Sequence, residues 1–208
     1  MGRYRLLLGL GLLFISSLGM QQASADLLYD QLVPKTRQWL DDYWGQYFAQ
    51  NGQTYMTAEG VHPYTREGIK TSCAPTALNN AFYCRTSNSI YYDDNFLRKV
   101  YSEEGDYAAV SILAHEWGHL VQSQLGLLDN QLLVYRELQA DCFSGAFAQH
   151  LNQPGKLEVF DFEEVAKLRF SAGKKNIRWT DTSVHGTPTQ RITAFEDGAR
   201  FGPGACYY

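Results

Sequence analysis

The segment His115-Glu116-Trp117-Gly118-His119 has the residue types and spacing of a metal site. On a helix, positions four apart lie one turn apart on the same face, so both imidazoles can bind one metal ion. Glu116 lies about 100° from His115 around the helix axis. From there its carboxylate can reach a metal-bound water without being a ligand, which is the position of a general base. The pattern predicts a hydrolytic zinc site with Glu116 as a catalytic residue.

Two neighbouring carboxylates are candidates for the third ligand, since catalytic zinc usually has three protein ligands and one open position. Glu137 and Asp141 are also four apart, on the next predicted helix. Burying either carboxylate unpaired would be costly, whereas a metal ion and a histidine N–H would satisfy both. We predict one Zn²⁺ per chain, with Glu137 as third ligand and Asp141 accepting a hydrogen bond from a liganding histidine. The alternatives are the swapped assignment and a plain solvated face.

The developing oxyanion of a hydrolysis reaction needs a hydrogen-bond donor besides the metal. We predict that His185, just before the N-terminus of a predicted helix, is this catalytic donor. One alternative is a loop histidine bonded to backbone. In another, Tyr91, Tyr92 or Tyr135 donates instead.

Three further residues receive no catalytic role. Arg191 is predicted to be a structural ion-pair partner. His62 and His150 have no partner pattern, so we predict that both are surface residues.

Two central helices should position the chemical groups. The first runs from a cap at Asp106 to about Gln124, where Gly126 ends it. The second covers about 131–151, and a shorter helix spans 162–170. The first helix has an apolar stripe of Val110, Leu113, Ala114, Trp117 and Val121, and a polar stripe of Ser111, His115, His119 and Gln122.

The last helix has the clearest start. A hydroxyl at Thr187 occupies the cap, Pro188 the first helical position, and Gln190 lies three residues after the cap. The helix runs towards Glu196, with Gly198 beyond.

The first half of the chain contains all the strand signals. Residues 50–80 should be loops with one or two short strands, and residues 88–93 a strand. Residues 36–49 should form a helix that could begin near Pro34. The fold class is therefore α+β, mainly helical. An aromatic stripe of the first helix is interpreted as core packing: Trp39, Leu40, Tyr43, Trp44, Tyr47 and Phe48.

Four cysteines suggest two disulfides in an exported chain. The sequence alone allows three pairings. The pairing of Cys73 with Cys84 closes a short loop and is preferred, and Cys142 with Cys206 would then tie the C-terminus to a central helix. A cysteine zinc site is the competing interpretation, but the chain contains no CxxC pair.

We predict a signal peptide over residues 1–25, because the small residues Ala23-Ser24-Ala25 follow an apolar run behind a basic start. The remainder, 26–208, forms a single domain. The mature chain is then secreted or periplasmic, with no stable membrane span; an uncleaved segment would be an N-terminal membrane anchor. Removal of residues 1–25 leaves 16 basic and 22 acidic residues, a net charge of −6. This balance argues against nucleic acid or anionic membrane as a partner.

Five segments in order carry a resemblance to a known family: Cys73…Ala81-Phe82-Tyr83-Cys84, Ile90-Tyr91-Tyr92-Asp93, HEWGHLVQ at 115–122, ELQADCFSG at 137–145 and HGTPTQR at 185–191. Together they resemble the bacterial neutral zinc metallopeptidases over most of residues 70–206. The chain is similar, more distantly, to the gluzincin prenyl and heat-shock membrane proteases. In those a Glu-x-x-Ala-Asp segment gives the third ligand on a second helix.

The resemblance implies a zincin-like domain with a small β-sheet and zinc on His115, His119 and Glu137, with Glu116 as base. It also favours the two disulfides named above. This sequence departs from the family at three places. Leu120 replaces a second histidine that often follows the motif, and Ala74 and Ala81-Phe82 replace Cys-Gly and Gly-Pro-Phe near the first disulfide.

The function expected from these features is an exported zinc peptidase that cleaves a protein or peptide substrate. A non-catalytic binding protein with structural zinc is the main alternative, but a structural site does not need Glu116. A metal-scavenging protein is a further alternative, and the chain has no His-rich tract to favour it. The sequence carries no prediction of oligomeric state.

Overall fold

The computed structural model describes residues 17–129, 132–152, 161–170 and 185–207. Within these residues the chain is mainly helical with one small sheet, so the predicted α+β class is confirmed. The elements are α1 (Ser17–Gln50), β1 (Gly60–Tyr64), β2 (Ala81–Cys84), β3 (Ser89–Asp93), α2 (Asp94–Glu104), α3 (Asp106–Gln124), α4 (Leu133–Asn152), α5 (Asp161–Phe170) and α6 (Pro188–Phe201).

Helix α3 lies at the centre of the fold and is buried around almost its whole circumference. Helices α1, α2, α4 and α5 and strand β2 all pack against it. Its predicted polar stripe therefore faces protein rather than solvent, since Ser111, His115 and Gln122 are each fully buried. A buried polar stripe requires partners on the neighbouring elements, and α4 provides most of them.

The start of α3 differs from the prediction. Asp106 is the first helical residue instead of the cap, which is Gly105 with no side-chain cap hydrogen bond. The backbone N–H of Tyr107 donates to the carboxylate of Glu164 on α5 at 3.0 Å. A carboxylate far away in the sequence thus satisfies a free N–H group of the first turn. The sequence around residue 106 does not predict this contact.

Helix α1 is longer than the helix predicted at 36–49, and Pro34 lies inside it. Its aromatic stripe packs into the core as predicted, with Leu40, Trp44 and Phe48 buried. The indole of Trp44 meets the ring of Phe143 on α4 edge to face, with 5.4 Å between ring centroids. Helix α1 thereby packs against both α3 and α4 and covers part of the core.

The sheet has the strand order β1-β3-β2, with β1 parallel and β2 antiparallel to β3. The predicted strand at 88–93 corresponds to β3, whereas β2 was not predicted because its four residues lack a period. Helix α2, also not predicted, follows β3 directly. Asp93 caps it by accepting hydrogen bonds from the N–H groups of Asn95 and Phe96. Strand β2 is left at the edge of the sheet, beside α3.

Two glycines, one on each helix, allow helices α4 and α6 to pack closely. A Cβ on Gly198 would collide with the carbonyl oxygen of Cys142, and one on Gly145 with that of Phe195. The predicted capping box at Thr187 and Gln190 is present. The helix does not end near Glu196, because Gly198 serves helix packing and not termination; it continues to Phe201.

Both predicted disulfides are present. Cys73 bonds to Cys84 at the end of β2, and Cys142 on α4 bonds to Cys206. Cys206 closes the short 3-10 helix Pro203–Cys206 that follows α6. Each disulfide therefore fixes a segment that borders the site described below.

Across the described helices, none combines the length and apolar character that a membrane span requires. The predicted signal segment lies largely outside the described residues. The backbone of α1 runs through the predicted cleavage position before Asp26.

Candidate metal centre

Three side chains from two helices converge on one point. His115 and His119 come from α3 and Glu137 from α4, and one potential ligand atom from each lies within 4.8 Å of the others. Glu137 Oε2 is 3.2 Å from His115 Nε2 and 3.5 Å from His119 Nε2. Two imidazole nitrogens and one carboxylate oxygen are a donor set that suits tetrahedral zinc with an open fourth position. The residues present therefore fit a zinc ion.

The close approach of α3 and α4 depends on Gly118, inside the HEWGH segment. A Cβ there would lie 2.9 Å from both Cα and the carbonyl oxygen of Ala140. Real Cβ atoms rarely approach backbone so closely, so the pair of small residues sets the distance between the helices. This distance brings Glu137 within reach of the two histidines on α3.

His115 is held by a buried ion pair behind it. Its Nδ1 lies 2.9 Å from Asp141 Oδ1, and Asp141 in turn accepts hydrogen bonds from Arg191 Nε at 2.7 Å and Nη2 at 3.0 Å. All three side chains are at most 1% exposed. The contact of Nδ1 with Asp141 leaves Nε2, the nitrogen that faces Glu137, as the one that would bind a metal ion. This placement matches the position predicted for Asp141, and Arg191 is the ion-pair partner that the sequence predicted.

His119 is held by Gln122, a contact that the sequence does not predict. Its Nδ1 lies 2.7 Å from Gln122 Oε1. The amide of Gln122 donates to the carbonyl of Arg136 at 2.7 Å and to Gln139 Oε1 at 2.9 Å. Gln139 then donates to the backbone carbonyl of Cys206 at 2.6 Å. The only sequence signal was that Gln122 follows His119 by three residues and shares its stripe.

Glu116 lies beside this ligand group and is held by the sheet. Its Oε2 accepts a hydrogen bond from the backbone N–H of Tyr83 in β2 at 2.9 Å, and its side chain is buried. A backbone donor leaves no sequence signal, so this contact was not predictable. It fixes the carboxylate next to His115 and His119 without making it part of the ligand group.

His185 also contacts Glu137. Its Nδ1 is 2.6 Å from Glu137 Oε2, the oxygen that also faces the two histidines of α3. The side chain is 15% exposed and lines the cleft over the site. His185, just before α6, therefore lies at the site as predicted. Its described partner is the Glu137 side chain and not a backbone group.

The charges of the site stabilise each other. Burial raises the pKa of the Glu137 carboxyl, but His119 and the hydrogen bonds from three imidazoles lower it well below its usual range. Burial lowers the pKa of His119, but the Glu137 carboxylate outweighs this and raises it to about 9. The pKa of His115 is also raised, because Asp141 and Glu137 outweigh burial. Glu137 is therefore ionised, which is the form in which a carboxylate can bind a cation.

A cleft of about 320 Å³ opens over these groups. Strand β2 borders one side, and the connection between α3 and α4 and the start of α4 border the other. Tyr91, Tyr92 and Tyr135, the alternative oxyanion donors, are not part of its described lining. The lining residues are Asn80, Ala81, Phe82, Tyr83, Arg85, Glu116, His119, Leu128, Leu133, Arg136, Glu137 and His185.

The two remaining histidines lie away from the cleft. His62 is exposed on β1, with its ring 4.9 Å from the ring of Tyr91. His150 is half-buried near the end of α4, against Tyr43. Neither belongs to the described ligand group.

Comparison with known proteins identifies the family. The profile of the family described as "Putative neutral zinc metallopeptidase" matches residues 16–206. The uncharacterized protein YpfJ of Escherichia coli K12 is 32% identical over 192 residues, covering 80% of this chain and 66% of YpfJ. The uncharacterized protein Rv2575 of Mycobacterium tuberculosis H37Rv is 26% identical over 170 residues, covering 66% of this chain and 58% of Rv2575. The chain thus spans about two thirds or less of the length of these relatives.

No solved structure matches the chain significantly. The family match covers the ligand group, the Asp141–Arg191 pair and both disulfides, all within residues 16–206. The chain therefore belongs to the putative neutral zinc metallopeptidase family.

Proposed function

We propose that this protein is a zinc-dependent peptidase of zincin-like fold that hydrolyses peptide bonds in its cleft. The observation that carries the proposal is the position of Glu116. Its buried carboxylate is held by the N–H of Tyr83 beside a three-ligand group, at the base of an open cleft. A structural zinc site has four protein ligands and no need of a fixed carboxylate next to it. A base beside an incomplete ligand set is the arrangement that hydrolysis requires.

The cleft also suits an extended peptide. The carbonyl of Asn80 pairs with the N–H of Asp93 on β3, whereas the N–H of Tyr83 points away from β3 to Glu116. By the alternation of a strand, the backbone groups of Ala81 and Tyr83 then face the cleft side of β2. An extended chain can bind such an edge by main-chain hydrogen bonds. Strand β2 is the proposed binding edge for the substrate backbone.

The catalytic roles follow from these positions. Zinc, when bound to His115, His119 and Glu137, supplies an activated water and polarises the substrate carbonyl. Glu116 takes the proton of the attacking water and returns it to the departing amine. His185 lies on the cleft wall and is proposed to donate a hydrogen bond to the developing oxyanion in place of its contact with Glu137 Oε2. Asp141 and Gln122 keep the two histidines in the tautomer that exposes a nitrogen lone pair.

An extracytoplasmic location is part of the proposal. Two disulfides join all four cysteines of the chain. Disulfides persist in oxidising compartments and are rare in the cytosol. The basic start and apolar run before residue 26 support export by a signal peptide.

The proposal is tested with the Glu116→Gln variant. The purified chain should contain one zinc ion and cleave casein, and Glu116→Gln should retain the metal while losing activity by at least 100-fold. Glu103→Gln, an exposed carboxylate on α2, serves as the matched control and should be fully active. Stoichiometric zinc without cleavage of any protein or peptide would favour a binding protein. A chain without stoichiometric zinc would refute the metal site.

A further inference from the structure

One end of the cleft contains an arginine whose hydrogen-bonding capacity is largely unused. Arg136 precedes the ligand Glu137 on α4 and lines the cleft. Its Nη1 makes a 3.4 Å contact with the carbonyl of Leu128, and its buried Nε has no hydrogen-bond partner within the described parts of the chain. No carboxylate pairs with it among the described ion pairs. A guanidinium presents five donors in a planar fork, and the only hydrogen bond of this group to a described residue is the long one from Nη1.

A second arginine borders the same end of the cleft. Arg85 follows β2, lines the cleft, and pairs with Asp129 at 3.1 Å. Both partners of this pair are more than half exposed, so solvent weakens their interaction. Asp129 adjoins Leu128, whose carbonyl contacts Arg136. The two arginines therefore both line the cleft and contact adjacent residues after α3, Asp129 and Leu128.

The arginines at this end of the cleft are positively charged, whereas the whole chain has a net negative charge. The full sequence has 22 acidic and 18 basic residues. Among the described lining residues the carboxylates are those of Glu116 and Glu137, and the proposed function uses both at the reacting centre. Arg85 shares its charge with Asp129, so among the described residues at this end the uncompensated charge offered to the rest of a substrate is that of Arg136.

We propose that Arg136, assisted by Arg85, forms a subsite that binds a carboxylate of the peptide substrate. This inference rests on the proposed function and specifies its substrate class. Arginine binds carboxylates through two parallel N–H···O hydrogen bonds, which gives geometric selectivity as well as affinity. The carboxylate belongs to an acidic side chain near the scissile bond or to the C-terminus of a short peptide.

Peptide binding tests this subsite without relying on catalysis. Fluorescently labelled octapeptides of Ala and Ser carry a single Glu or Gln at each position in turn, with a free or amidated C-terminus. Their Kd values are measured by anisotropy on the zinc-loaded Glu116→Gln chain. We expect at least 10-fold tighter binding for Glu over Gln at one position, or for the free acid over the amide. The first result identifies a side-chain carboxylate and the second a terminal one.

Substitutions then assign the preference to the arginine. Arg136→Gln in the same background should reduce the preference to less than twofold, whereas Arg136→Lys should retain part of it, because it keeps the charge but not the planar fork. Arg85→Gln should have a smaller effect than Arg136→Gln. Arg200→Gln, an exposed arginine on α6, is the matched control and should leave the preference unchanged.

Two results would overturn the inference. One is equal binding of all acidic and neutral peptides, and the other is an Arg136→Gln variant that weakens every peptide by the same factor, which indicates a structural role. The proposed function is tested separately. Cleavage of neutral peptides by the wild-type chain without any carboxylate preference would retain the peptidase and reject the subsite.

Discussion

Asp141 Oδ1 lies 2.9 Å from Nδ1 of His115, on the ring edge opposite the nitrogen that faces Glu137. The contact is fully buried, and the guanidinium of Arg191 compensates the charge of the carboxylate. The relationship makes Asp141 a support of the metal site, because its hydrogen bond selects the tautomer and orientation of a proposed ligand.

Replacing Asp141 with Asn should damage both metal binding and the fold. Zinc affinity should fall roughly 10- to 100-fold, as is typical for the loss of a hydrogen bond behind a liganding histidine. The free energy of unfolding should fall by about 3–5 kcal/mol, because Arg191 is left buried without its partner. Chelator competition and urea unfolding measure the two effects. Glu196→Gln, which removes an exposed pair with Arg200, should change stability by less than about 0.5 kcal/mol.

Alanine substitution distinguishes the third ligand from its neighbour. Glu137→Ala removes an oxygen that lies within reach of both histidines of α3, so zinc should be lost from the purified chain. Asp141→Ala should retain zinc at raised metal concentration, since its carboxylate lies behind His115. Metal analysis after dialysis against graded zinc concentrations gives the comparison. Equal losses, or a larger loss in Asp141→Ala, would contradict the ligand assignment.

Gly118→Ala should destabilise the chain although alanine favours helices. Helix propensity alone predicts a gain of about 1 kcal/mol, but the new Cβ would meet the backbone of Ala140 at 2.9 Å. Separation of α3 from α4 should lower stability by about 1–3 kcal/mol and weaken zinc binding. Gly45→Ala in α1 is the matched control, because its nearest neighbour atom would be at 3.8 Å. It should be neutral or stabilising; the same sign of change for both variants would refute the packing argument.

The stability of the chelator-treated protein should depend on pH through His119. Its folded-state pKa of about 9 exceeds the ordinary value of 6.5 because Glu137 outweighs burial. The stabilisation is therefore complete below about pH 6.5 and lost as pH rises towards 9, a change of roughly 3 kcal/mol. Urea unfolding between pH 6 and 9 measures it.

The zinc-loaded chain and a charge variant provide the controls for this pH dependence. A liganding histidine is neutral at the ligating nitrogen, so the loaded chain should show little change over the same range. Glu137→Gln removes the carboxylate that raises the pKa of His119, so its chelated form should also show a weaker dependence. A flat profile for the chelated wild-type chain would contradict the proposed coupling of Glu137 and His119.

The ligand residues are predictable from sequence because helical spacing determines which side chains share a face. His115 with His119, and Glu137 with Asp141, each lie four apart on a helix whose limits were predicted to within two residues. The residue types at a helix start likewise predicted the capping box of Thr187 and Gln190. Local periodicity thus contains most of the information about the candidate site.

The contacts between elements are less predictable, because they depend on backbone groups and on helix separation. The N–H of Tyr83 that holds Glu116 belongs to a strand that has no sequence period. Gly118 does not indicate by itself that Ala140 will be its neighbour. Gln139 belongs to α4 but not to the face of Glu137 and Asp141, so its bond to Cys206 has no local signal.

Strand β2 and helix α2 show a second limit. The apolar residues Phe96, Leu97 and Val100 are buried in α2, but the helix has only 11 residues and directly follows β3. Asp93 ends the strand and caps the helix at once, so no loop separates the two patterns. Short, directly joined elements are therefore missed when long periodic segments guide the prediction.

The hydrogen bonds from His119 through Gln122 and Gln139 to the carbonyl of Cys206 have a consequence for the order of assembly. In the proposed export by a signal peptide the N-terminus leads, so α3 would emerge long before the segment that supports it. A newly translocated chain would hold zinc weakly until Cys206 arrives and oxidation joins it to Cys142. Maturation of the metal centre would then follow disulfide formation in time, and the oxidising machinery of the compartment would determine when the protein becomes competent.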